Sequence, residues 1–367
     1  MCDGCPGGHC FKACKSDSAW TCLIPALRDH SATLVDCCEV LRLDCHGRSV
    51  TSVICTHNGD EHQVRGRIIV LAAGALSTPA ILLRSKSAEY PTGLANSSGQ
   101  VGRNLMFHGG DFALVRSPDA VAPKGLQKTL ALNDFYCANG HKLGTFQTLG
   151  VRLEVGRIMQ YLRDTADIGT NWWSWILRSR PAWWRKLTSP FVRVSAWLAY
   201  YALGFRHATV WVSIVEDLPY PRNRVSLDHC DEYKLIIEYT LSEELKGRIR
   251  EMRQSLKHVF GGRVQFDPSM ANSINLPHAS GTCRFGTDPA HSVLDLHNKA
   301  HDVENLYVLD ASFFPSSGGT NPSLTIAANA LRVADWIARA LRSSAFGPEY
   351  QVPNREDHAR PIQGAEQ

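Results

Sequence analysis

The chain has no run of about 18 consecutive apolar residues, so no membrane-spanning helix is predicted. It also lacks the basic excess of a nucleic-acid binder. The formal net charge is +4 over 367 residues, and no nucleic-acid recognition pattern stands along it. The opening residues MCDGCPGGHC are neither basic nor apolar, unlike a secretory signal. No internal repeat is present. These absences point to a cytoplasmic protein of ordinary globular composition, long enough for two domains or one large one. Cysteine, by contrast, is abundant: there are twelve, nine of them before residue 56. Without a secretory signal they read as reduced thiols, not a disulfide framework.

The texture of the chain changes twice. Residues 18–28 suggest a short helix broken by Pro25, and 32–45 hold short β-rich runs. Asn58-Gly59 between two alternating runs signals a hairpin. The run Ile68–Ala73 reads as a strand buried on both faces in a parallel sheet, followed by a helix from Ser77 to Ser85 with Pro79 in its first turn. Residues 209–217 alternate, and 223–241 read as two strands and a turn. Thr240 to Glu243 has capping-box spacing. Leu245, Ile249, Met252, Leu256 and Val259 then mark one helical face. A strand over 305–312 leads into a small-residue loop and a helix from Pro322 to Ala340. Six of the nine tryptophans fall in 172–197 among arginines. That segment is either an amphipathic helix pair over the core, or an interfacial anchor or lid over an apolar site.

The stretch PSSGGTNPSL (315–324) raises the chemical question. Asn321 is a favoured N-cap and Pro322 suits the first helical position. A helix start there points N–H groups and partial positive charge at whatever lies before it. Ser316, Ser317, Gly318, Gly319 and Thr320 are small enough to let a flat, electron-rich ligand approach. Upstream stands His278, a candidate general base. The segment AAGALSTP (72–79) ends a buried strand at Gly74 and opens a helix, as dinucleotide-binding sheets do. Asp310, at another strand end, suits either a ribitol-type hydroxyl or a turn cap.

Together these stretches resemble the glucose–methanol–choline (GMC) oxidoreductases, FAD-dependent enzymes that oxidise alcohols. Residues 74–85 resemble the family's second signature, with Lys86 where that pattern has glycine. VGRNLMFH (101–108) is similar to its VGxNLxxH segment, HASGT (278–282) to HxxGT, and 310–322 to its C-terminal flavin segment. The resemblance implies FAD-dependent oxidation of CH–OH to a carbonyl, with hydride passing to flavin N5. It makes His278 the catalytic base and Asn321 its partner at the substrate oxygen. It assigns cofactor contacts to Val40, Ala73, Gly74, Asn104, Asp310, Ala311, Asn321 and Pro322. The helix start at Asn321-Pro322 would face the flavin's pyrimidine end and favour the anionic reduced form.

The implied fold is α/β: a partial FAD/NAD(P)-binding Rossmann-like domain with an inserted substrate domain containing an antiparallel sheet. The expected divisions are a Cys/Gly-rich loop at 1–15, the FAD-binding domain at 16–90 and 288–345, the substrate domain at 91–287 and a polar tail at 346–367. One departure stands out. The family opens with a strand, a G-x-G-x-x-G turn and a helix, and no such turn stands at the start of this chain. The chain therefore resembles the family's C-terminal part. Three readings follow: an alcohol oxidoreductase; a truncated or split portion whose FAD-binding unit a second chain supplies; or an iron–sulfur flavin subunit passing electrons to a quinone or cytochrome. Cys5, Cys10 and Cys14, with Cys2, have plausible cluster spacing, the alternative being a packed, thiol-rich loop beside the flavin. The tryptophan-rich segment hints at an apolar or bulky alcohol and at peripheral membrane contact through 172–205. The electron acceptor is left open.

Overall fold

The computed structural model describes residues 16–116, 128, 130–137, 140, 142–152, 194, 197–198, 201, 207–266 and 273–342. The cysteine loop and nearly all of the tryptophan-rich segment lie outside them. The chain forms two compact units. The larger holds the described residues of Lys15–His108, Glu216–Leu245 and Ile274–Gln367; the smaller holds those of Gly109–Val215 and Lys246–Ser273.

The larger unit opens with a π-helical turn (Ala19–Leu23) and α1 (Ile24–Asp29), with Pro25 in its first turn. β1 (Cys38–His46), β2 (Ser49–His57) and β3 (Asp60–Val64) form an antiparallel sheet in that order. Asn58 and Gly59 have φ of 54° and 92°, the two positive values of a type I′ hairpin, as the Asn-Gly pair predicts. β4 (Ile69–Leu71) buries its outer two residues, but Val70 between them is 44% exposed. The strand is therefore covered on one face, not two. α2 (Gly74–Arg84) starts three residues before the expected Ser77, so Pro79 lies inside the helix rather than in its first turn. β5 (Met106–Gly110) is buried throughout.

β6 (Phe112–Arg116), β7 (Ala131–Leu132), β8 (Gly144–Arg152) and β9 (Ala208–Val215) are strands of an antiparallel sheet, in which β6 and β8 both pair with β9. The hairpin of β10 (Arg224–Leu227) and β11 (Leu235–Glu238) belongs to the larger unit. α3 (Glu243–Phe260) follows. Ser242, not Thr240, supplies its cap: the Ser242 Oγ accepts from the Leu245 N–H at 3.1 Å. Ile249, Met252 and Leu256 are buried as their spacing predicts, whereas Val259 is 55% exposed. In the smaller unit Phe146 stacks on Trp211 at 4.9 Å, with Phe260 edge-on. Arg253 there grips the buried Asp111 carboxylate through two bonds of 2.9 and 2.7 Å. β12 (Val264–Phe266) pairs with β6.

β13 (Ser273–Ser280), β14 (Leu306–Val308) and α4 (Ser323–Arg342) complete the larger unit. β14 runs parallel to β4, Leu306 opposite Ile69 and Val308 opposite Leu71. Leu71, Leu82, Met106, Leu294, Val308 and Phe313 form the heart of its core. The architecture is α/β with a Rossmann-like parallel pair and an antiparallel sheet. α4 begins one residue later than expected. The Pro322 carbonyl accepts from the Ile326 N–H at 3.0 Å, so Pro322 is the half-in residue and Asn321 precedes it. Among the described residues no helix is long and apolar enough to cross a membrane. Among the described residues no three His, Cys, Asp or Glu side chains are grouped so as to hold a metal ion.

Candidate active site

Thr282 follows β13 and ties together three segments of the larger unit. Pro79 has no N–H, so the carbonyl four residues back, that of Ala75, receives no helical bond from it. The Thr282 hydroxyl donates to that carbonyl at 2.8 Å. The Thr282 carbonyl accepts from the Gly102 N–H at 2.8 Å, and the Gly281 N–H donates to the Ala311 carbonyl at 3.1 Å. Gly281 must be glycine: its φ is +87°, and a Cβ there would lie 2.3 Å from Met106 Cε and 2.7 Å from the Asn104 carbonyl oxygen. HASGT is thus a junction between α2, the VGRNL turn and the turn after β14.

Asp310 is almost fully buried and caps that turn. One carboxylate oxygen accepts from the Ser312 N–H at 2.8 Å and its hydroxyl at 2.5 Å. The other accepts from the Gly74 N–H at 2.9 Å and the Thr78 hydroxyl at 2.5 Å. Ala73 donates its N–H to Thr78 Oγ1 at 3.1 Å. So Ala73, Gly74, Asp310 and Ala311 are brought together. Val40 lies in β1 opposite Cys55 and packs on the same core. Asn321, half-buried, stands just before α4.

His278 is half-buried in β13, and its Nδ1 lies 2.8 Å from Nδ1 of His108, with the rings edge to face. The side-chain amide of Asn275 is 3.0 Å from the same His278 nitrogen. His108, 1% exposed, turns its Nε2 toward the carbonyl oxygens of Ser317 and Gly318, at 3.0 and 2.7 Å. Burial pulls the His108 pKa below the ordinary histidine value, outweighing the two carbonyls that pull it up. The 315–319 loop is itself pinned. The Asp217 N–H donates to Ser317 Oγ at 2.7 Å, and the Ser316 hydroxyl donates to the Glu216 carboxylate at 2.7 Å. The Asp217 carboxylate accepts from the Phe107 N–H at 3.2 Å and the Tyr239 hydroxyl at 2.8 Å. Burial, then that carboxylate, pushes the Tyr239 pKa far up. Sequence reasoning quoted His108 within a motif but gave it no role, and missed Asn275 and Asp217. The signal available was a histidine closing the apolar run Leu105–Phe107.

Sequence models of two GMC oxidoreductase domains match the chain, the N-terminal one over residues 2–109 and the C-terminal one over 219–330. The chain belongs to the GMC oxidoreductase family. The N-terminal match corrects the expectation of a purely C-terminal part. The chain is 32% identical to 6'''-hydroxyparomomycin C oxidase of Streptomyces lividus, over 92% of this chain and 57% of that protein. It is 30% identical to paromamine 6'-oxidase of Streptomyces fradiae, over 92% and 58%. It therefore spans under two thirds of these relatives. The fold is that of pyridoxine 4-oxidase from Mesorbium loti, with a TM-score of 0.51 at 20% identity, covering 82% of this chain and 57% of that one.

GMC oxidoreductases are FAD enzymes, and one residue tests the fit here. Asn104 is 1% exposed with φ of 64°. Its amide nitrogen donates to Gln100 at 3.0 Å, while its Oδ1 is buried with no partner among the described residues. A buried acceptor left unpaired costs about 1–3 kcal/mol, and a ligand hydroxyl or N–H would remove that cost. Gly74, at φ of +85°, has open space where a Cβ would stand, so a flat group can approach its backbone. The residues present fit a flavin dinucleotide.

Proposed function

We propose that the chain carries the base-bearing part of an FAD-dependent oxidoreductase that converts CH–OH to a carbonyl, with His278 as the base. The observation that carries this is the junction at Thr282 and Gly281, which fastens the end of the His278 strand to both Ala75 and Ala311. When bound, FAD supplies the hydride acceptor. His278 takes the hydroxyl proton of the alcohol, and the start of α4 offers N–H groups and partial positive charge to an electron-rich ring. Asn104 Oδ1, Gly74 and Ala311 are the cofactor contacts in this reading, and Asn321 faces the substrate oxygen. Asp310 acts on the cofactor by holding Gly74 and the turn at Ala311. The two Streptomyces relatives are named as oxidases of 6'''-hydroxyparomomycin C and of paromamine, and a hydroxyl of a molecule of that kind is the substrate in this reading.

The test is His278→Ala in protein carrying FAD. Flavin content should stay the same while reduction by alcohol slows by roughly 10²–10⁴, the usual worth of a general base. Equal reduction rates would remove His278 from the chemistry.

A second reading is that further residues, of this or another chain, complete the FAD unit. It is favoured by α4, where Leu324 is 82% and Leu331 68% exposed while Val333 is the buried residue.

A further inference from the structure

The base reading says which residue takes a proton, not which of its two nitrogens does so. The second nitrogen of a histidine, through its own hydrogen bond, sets which one is basic. Here that bond can be followed back through the larger unit. Carbonyl oxygens accept and cannot donate. With Ser317 and Gly318 carbonyls at 3.0 and 2.7 Å, His108 Nε2 must carry hydrogen. A ring buried to 1% exposure is held neutral, so its other nitrogen, Nδ1, is bare. That bare nitrogen lies 2.8 Å from His278 Nδ1. Two bare nitrogens at that distance would repel, so His278 Nδ1 is the N–H donor. The Asn275 amide, 3.0 Å from the same nitrogen, suits this when its oxygen faces that N–H, since the two ends of an amide are interchangeable in shape.

Resting on the base reading, we propose that His108 is a positioning residue that fixes His278 as its Nδ1–H tautomer and so makes Nε2 the basic nitrogen. The two carbonyls that orient His108 are not left to chance. Asp217 holds Ser317 through its N–H at 2.7 Å and holds the Phe107 N–H, next to His108, through its carboxylate at 3.2 Å. One acidic residue thus fixes both the ring's backbone and the acceptors its Nε2 meets. An isolated imidazole would be free to place its proton on either nitrogen; this arrangement removes that choice.

Ring-nitrogen NMR of the 367-residue chain, labelled with ¹⁵N-histidine, reads the tautomer without any flavin. His278 is assigned by the signals lost in His278→Gln. The expected spectrum has Nδ1 of His278 at a protonated-type shift and Nε2 at a bare-type shift near neutral pH. His108→Asn, whose side-chain oxygen can stand where Nδ1 stood, should preserve that pattern. His108→Leu should move both His278 nitrogens toward averaged positions. A wild-type His278 protonated on Nε2 overturns the proposal, as does a His108→Leu spectrum with His278 unchanged. Should His108→Leu not fold, the wild-type and His108→Asn spectra decide alone. The base reading fails by a different measurement, unchanged flavin reduction in His278→Ala, so the two failures are distinguishable.

Discussion

His108 also leaves a mark on stability. Its pKa in the folded chain lies below the ordinary ~6.5 because burial penalises the charged ring. Below pH ~6.5 the unfolded chain therefore takes up a proton that the folded one refuses. The sign follows from that difference: the histidine's contribution is intact above ~6.5 and is lost as pH falls, at up to about 1.4 kcal/mol per pH unit until the folded pKa is reached. Its titratable neighbour is His278. Melting temperature followed from pH 7.5 down to 5 should fall more steeply for the wild type than for His108→Asn, and parallel curves would contradict this. At this same scale Asp310 shows the limit of reading a sequence. A carboxylate at a strand end suits a ligand hydroxyl and a turn cap equally. The four donors that fill it come from Ser312, Gly74 and Thr78, two of them far away in the chain, and no local pattern announces them.

Among elements, the pairing of Pro79 with Thr282 is the informative case. A proline inside α2 looks like a defect, since it leaves one helical carbonyl unbonded. Thr282 Oγ1 occupies that carbonyl, turning the defect into a fastening between helix and β13. Thr282→Val keeps the shape and removes the donor, leaving a buried carbonyl unpaired at about 1–3 kcal/mol. Denaturant unfolding should report a loss of that size, and Pro79→Ala in the same background should recover part of it by supplying an N–H. No recovery would mean the carbonyl is satisfied another way. The elements themselves were largely legible, for physical reasons. Asn58-Gly59 announced its hairpin because few other pairs accept two positive φ values. The spacing from Leu245 to Leu256 announced α3 because one face must be buried. Val259 escaped that face at the helix's last turn. The start of α2 is not legible because Gly74, at φ of +85°, has the character of a loop residue and yet is where the helix opens. His108 escaped notice for a related reason: its value lies in two carbonyls more than two hundred positions away.

For the molecule as a whole, the decisive observable is colour. The FAD-fitting residues, from Gly74 and Asn104 to Ala311, all lie in the larger unit. If they suffice, the purified chain mixed with FAD and desalted should retain flavin absorbance, and an alcohol should bleach it. A colourless product would assign retention to residues beyond these and favour the completed-unit reading. The parallel pair of β4 and β14 carries a further consequence, one that belongs to synthesis. Ile69 leaves the ribosome long before its partner Leu306; at ~5–20 residues per second the delay is on the order of 10–50 s. Through that interval β4 waits beside α2 without its strand, and the antiparallel sheet of the smaller unit is translated in between. A nascent chain halted before Leu306 holds β4 with its parallel hydrogen-bonding edge unpaired, and that is the species a chaperone or a protease would meet.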